Sequence, residues 1–128
     1  MMTLAMIAGL WATTCIQTQI SNANQGYVIE KYRIEATGDY SFEREWYSDP
    51  QCDDHISTDS ESGTMTLGKP LHSFFSNGEV VAADFSSQNG VDLGALSLKK
   101  DTSIKVARGV RNSNMRNTML SLFEYQKQ

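Results

Sequence analysis

Side-chain polarity alternates along residues 26–48 so strictly that a pleated strand pair is the natural reading. Val28, Tyr32, Ile34 and Ala36 share one face with Glu30, while Lys31, Arg33 and Glu35 share the other with Tyr27 and Ile29. On the next segment Tyr40, Phe42 and Trp46 fall with Arg44, against Ser41, Glu43, Glu45 and Tyr47. A period of two marks a strand with one buried face. Opposed residues of a hairpin point the same way, so both apolar faces turn inward only if even-numbered residues pair with even-numbered ones. A two-residue Gly38-Asp39 turn would set Ala36 against Ser41 and turn the faces apart. An odd loop is required, most simply Thr37-Gly38-Asp39. That loop sets Ile34 opposite Phe42, Tyr32 opposite Arg44 and Glu30 opposite Trp46.

The rest of the chain is also β-like. Strands are expected near 6–19, 26–37, 40–48, 63–69, 79–87, 94–99, 103–108 and 117–126, separated by Gly, Asn, Asp and Ser clusters. Asn22 to Gly26 reads as a turn, His72 to Gly78 as a loop, and Pro70 as the end of a strand. Val80 to Phe85 is apolar on both faces apart from Asp84, which suits a central strand with Asp84 toward its rim. The last strand is expected beside the first. At 128 residues the chain makes one domain, 1–128, large enough for a single core. The expected fold is all-β: a single antiparallel β-barrel of about eight strands.

Charge is unevenly spread. Residues 1–95 carry four bases against thirteen acids, whereas residues 96–128 carry seven bases against two. The basic tail either meets acidic partners or anionic lipid headgroups, or pairs with the acidic strands beside it. A net charge of −4 and a pI near 5.0 give no reason to expect nucleic-acid binding. No apolar run approaches the ~20 residues of a membrane-spanning helix.

Two cysteines, Cys15 and Cys52, permit one bridge or two free thiols. The bridge is the preferred reading, because Cys52 sits in the polar stretch Asp49-Pro50-Gln51-Cys52-Asp53-Asp54, where an unpaired thiol gains no packing. Such a bond would contribute about 4 kcal/mol in the chain-entropy description. It places the protein outside the reducing cytoplasm: periplasmic, secreted or at the cell surface. Residues 1–20 read as the opening strand of a mature chain whose export signal lies outside this numbering.

Gly9-Leu10-Trp11 at the head of the first strand, with short meandering strands behind it, resembles the lipocalin (calycin) barrels. In those barrels the tryptophan plugs the closed end. Gly-x-Trp followed by Cys15 and an aromatic hairpin ending Tyr47-Ser48-Asp49-Pro50-Gln51-Cys52 more narrowly resembles the adenomatosis-polyposis-coli-down-regulated domain. The likeness covers roughly residues 9–70 and implies a lipid-binding, lipocalin-like barrel. In size and layout the chain also resembles small exported barrels that inhibit secreted metalloproteases.

Catalytic signatures are missing. The sequence has no Gly-x-Ser-x-Gly, no His-Glu-x-x-His and no phosphate-cradling glycine loop. The oxygen-rich run Asp49, Asp53, Asp54, His55, Asp59 and Glu61 lacks the spacing of a calcium loop and reads as a solvated acidic loop. Neither catalytic residues nor a metal or other cofactor is expected. The expected function is binding of a small apolar or amphipathic, lipid-like ligand on an inward wall of Val28, Glu30, Tyr32, Tyr40, Phe42, Arg44 and Trp46. Arg44 would hold a carboxylate or phosphate headgroup and the aromatics would cover the tail. The alternative is a non-catalytic protein–protein module, such as a small exported protease inhibitor.

Overall fold

A computed structural model describes residues 2–19, 25–71, 79–99, 102–109 and 124–128. It contains one helical turn, α1 (Leu4–Ile7), and nine strands. These are β1 (Gly9–Ala12), β2 (Ile16–Gln19), β3 (Gln25–Ile34), β4 (Asp39–Tyr47), β5 (His55–Leu71), β6 (Glu79–Ser87), β7 (Gly90–Lys99), β8 (Ser103–Ala107) and β9 (Glu124–Lys127). All pairings are antiparallel. Strands β3 to β9 meander in sequence order as far as β9, which meets β1, and β1 returns to β3. Eight strands thereby close into a barrel, and β2 adds a ninth along β3. The last strand does lie beside the first, with Trp11 opposite Lys127 and Ala12 opposite Gln126.

The expected opening strand over 6–19 is instead a helical turn followed by two short strands. Gly9, at φ +138°, turns the chain from α1 into β1 using a backbone conformation that glycine tolerates. Beyond β1 the register against β3 slips by one residue. Ala12 faces Lys31, yet Ile16 faces Val28, so Thr14 and Cys15 together oppose Ile29. Such a bulge bends its strand. Thr13 holds it: its N–H donates to the Glu30 carbonyl at 2.9 Å, and its Oγ1 accepts from the Glu30 N–H at 3.0 Å.

The β3–β4 hairpin keeps the expected parity but not the expected loop. Its three-residue loop is Ala36-Thr37-Gly38, bounded by a hydrogen bond from the Glu35 N–H to the Asp39 carbonyl at 2.8 Å. The Gly38 N–H closes a turn onto the Glu35 carbonyl at 3.0 Å, and Gly38 takes φ +98°. A tight turn followed by a positive-φ residue is a favoured three-residue hairpin connection, and it draws glycine into the last loop position. The pairing therefore becomes Ile34 with Tyr40, Tyr32 with Phe42, Glu30 with Arg44 and Val28 with Trp46.

Three other boundaries differ. β5 begins at His55, well before residue 63, so Asp59 and Glu61 belong to a strand rather than to an acidic loop. Pro70 does not end β5, because the β5–β6 register shifts between Leu67 and Pro70, and a bulge tolerates the missing N–H. Asp84 lies mid-strand, opposite Thr66 and Leu93, rather than at a rim. The turn over 22–24, the loop over 72–78 and residues 117–123 of the expected last strand lie outside the described residues.

Inward-facing residues form one core that includes Trp11, Tyr32, Ile34, Tyr40, Met65, Val81, Ala83, Phe85, Leu96, Ile104 and Tyr125. A smaller cluster of Val80, Ala95 and Ala107 with Leu71 uses the alternate positions of β6–β8, which explains why β6 is apolar on both faces. α1 lies across the end of the barrel that carries the β3–β4 turn. Leu4 packs on the core there, and a Cβ added at Gly38 would sit 3.5 Å from Leu4 Cδ1. Trp11 is fully buried and donates its indole N–H to the Ile7 carbonyl at 2.8 Å. Cys15 and Cys52 are disulfide-bonded with their Cα atoms 5.8 Å apart, tying the bulge to the β4–β5 connection. No helix among the described residues is long and apolar enough to cross a membrane.

Candidate ligand site

At the end opposite α1, strand alternation continues past the apolar core into charged residues. Pairing puts Glu30, Arg44 and Asp59 side by side on β3, β4 and β5. On β5 the inward row that includes Met65 continues through Gly63 to Glu61. On β7 the row of Leu98 and Leu96 continues to Asp92, and the row of Ile104 and Val106 on β8 continues to Arg108.

The result is a layer of ion pairs above the aromatic core. Glu30 is only 3% exposed. Its Oε2 accepts from both Nε and Nη2 of Arg44 at 2.7 Å, and its Oε1 accepts from the Tyr125 hydroxyl at 2.6 Å. Arg108 lies over the Phe85 ring at 4.6 Å. Its Nη1 is 2.8 Å from Glu61 Oε2 and donates at 3.4 Å to the Tyr32 hydroxyl, and its Nη2 is 2.7 Å from Asp92 Oδ2. Glu61 also accepts from Tyr40 at 3.0 Å and from Ser87 at 3.1 Å. Arg108 Nε is buried and has no hydrogen-bond partner among the described residues.

Burial pushes the Tyr32 and Tyr125 hydroxyls well above the ordinary phenol range, and at Tyr125 the neighbouring Tyr32 and Glu30 push further in the same direction. Burial also raises Tyr40, to about 12. These phenols stay protonated; Tyr125 and Tyr40 donate to Glu30 and Glu61, while Tyr32 accepts from Arg108. Burial alone would raise Glu61, but the hydrogen bond and charge of Arg108 outweigh it and hold the carboxyl below its ordinary value.

Above this layer opens a pocket of about 480 Å³ lined by Glu30, Tyr32, Phe42, Arg44, Asp59, Glu61, Asp92, Val106, Arg108 and Tyr125, among others. Four of the seven residues expected on the inward wall, Glu30, Tyr32, Phe42 and Arg44, line it. Val28 is buried and does not line it, and Tyr40 lies deeper, edge-on to Phe85 with ring centroids 5.5 Å apart. Trp46 stands half-buried at the rim, donating its indole N–H to Asp59 at 3.0 Å. Glu30 and Arg44, expected to sit diagonally, are directly opposed. Glu61, Asp92, Arg108 and Tyr125 were not anticipated at the site. Running the period-two pattern two residues further along β8 would have found Arg108. Of the basic tail, Arg108 pairs with acidic strands, while Lys100, Arg111 and Arg116 lie outside the described residues.

No protein-family model, curated protein or solved structure matches this chain. The fold is a closed eight-stranded antiparallel barrel, a shape compatible with a lipocalin-like barrel.

Proposed function

We propose that this protein is an exported, non-catalytic, lipocalin-like binding protein whose barrel mouth holds a small amphipathic molecule. The observation that carries this reading is the 480 Å³ pocket, within the ~300–1,000 Å³ usual for small-molecule sites. Its wall joins the rings of Tyr32, Phe42 and Tyr125 to fixed charges, a surface suited to a molecule with an apolar body and one polar end. The placement of Trp11 at the opposite, covered end supports the lipocalin-like layout. The Cys15–Cys52 disulfide supports an oxidising compartment.

Native mass spectrometry of freshly purified protein tests the proposal. A retained small-molecule mass that is lost in Phe42→Asp is the expected result. Bare protein that also fails to take up a fluorescent apolar probe would overturn it.

A second reading, a protein–protein module, draws on β5. Residues 55–62 pair with β4 but run past the end of β6, which leaves a strand edge without a partner among the described residues. Such edges recruit extended peptides.

A further inference from the structure

Resting on the pocket reading above, we infer that the polar end of the ligand is an organic cation, such as an alkylammonium group, and not a carboxylate or phosphate. The pocket wall carries two arginines and four carboxylates, and each arginine is already ion-paired. Arg44 gives both Nε and Nη2 to Glu30. Its charge is thereby matched by a carboxylate that is 3% exposed, and drawing it away would strand a buried charge. Arg108 is held between Glu61 and Asp92, so its charge is already matched.

The opposite sign is under-matched. Asp59 receives only the Trp46 indole N–H and has no cationic partner among the described residues. Asp92 uses one oxygen for Arg108, and its carboxylate is half in solvent. Asp59 and Asp92 stand on β5 and β7, two strands that each contribute to the lining. Each of the two offers an ammonium group an attraction that displaces no existing ion pair. The apolar part of such a molecule would rest against Phe42 and Val106.

The test is calorimetric titration, at neutral pH and low salt, with three probes that share one chain: octylamine, octanoate and octanol. Octylamine should bind about tenfold or more tightly than octanoate, a difference one modest charge–charge contact can supply. Added salt should shrink that preference, and so should Asp59→Asn, which keeps an oxygen for the Trp46 indole N–H and breaks no ion pair among the described residues. Octanoate binding as tightly as octylamine, or more tightly, would overturn the cation inference while leaving the pocket reading intact. Binding of none of the three would overturn the pocket reading, and the cation inference with it.

Discussion

Glu30 and Arg44 face one another directly across β3 and β4, with two guanidinium nitrogens 2.7 Å from a single carboxylate oxygen. The two members are unequally buried, Arg44 being 40% exposed along its side chain and Glu30 4%. Arg44→Ala should therefore be felt mainly through the carboxylate it abandons. We expect a loss of about 2 kcal/mol in urea unfolding, below the ~3–5 kcal/mol of fully buried pairs because water still reaches the arginine. Glu30→Gln/Arg44→Ala should recover part of that loss. A double-mutant cycle with no coupling energy would show that the pair does not act as a unit.

Thr13→Val keeps the shape of the side chain but removes the oxygen that receives the Glu30 N–H. That buried amide would lose its acceptor at the bulge. A destabilisation of about 1–3 kcal/mol is expected, with the Glu30 amide becoming faster in hydrogen exchange. An unchanged denaturation midpoint would mean that water or a local shift replaces the hydroxyl.

Glu61 makes stability depend on acid. Its carboxyl titrates lower in the folded chain than in the unfolded one because Arg108 favours the ionised form. The stabilisation is complete above the ordinary carboxylate value of 4.5, and it fades as pH falls through the lower, folded value. Urea midpoints measured from neutral pH downward should fall over that range in the wild type. They should fall less steeply in Glu61→Gln. Parallel curves for the two proteins would refute the assignment.

Reducing the Cys15–Cys52 bond, or replacing it in Cys15→Ser/Cys52→Ser, should lower stability by about 2–4 kcal/mol. Differential scanning with and without reductant measures this directly. The ordinary Cα separation of 5.8 Å lies within the range that bridged cysteines adopt, so the full effect is expected.

Periodicity made most of the barrel legible. The even-with-even rule located the inward faces of β3 and β4, and cysteine chemistry located the bridge. Other features depended on backbone detail that side-chain patterns do not encode. Gly38 moved the hairpin loop by one position, because positive φ is more accessible to glycine than to Asp39. That one-position move brought Arg44 from opposite Tyr32 to opposite Glu30. The acidic run 55–61 reads as a loop because its outward neighbours, Thr58, Ser60 and Ser62, are polar on a strand whose other edge has no partner among the described residues. The charged ring at the pocket was hidden differently. Glu61, Asp92 and Arg108 each continue an apolar row by one or two pleats, and a sequence pattern ends where the apolar residues end, although the strand geometry does not.

The barrel is closed by very little. β1 contributes four residues, and among the described residues only Trp11 and Ala12 are laddered to β9. The β4–β5 and β5–β6 ladders run far longer. A short seam between long staves is where a cylinder unzips first. Among strand amides, those of β1 and β9 should exchange soonest with solvent, and an opening there would admit bulky guests without disturbing the meander that supports the rest.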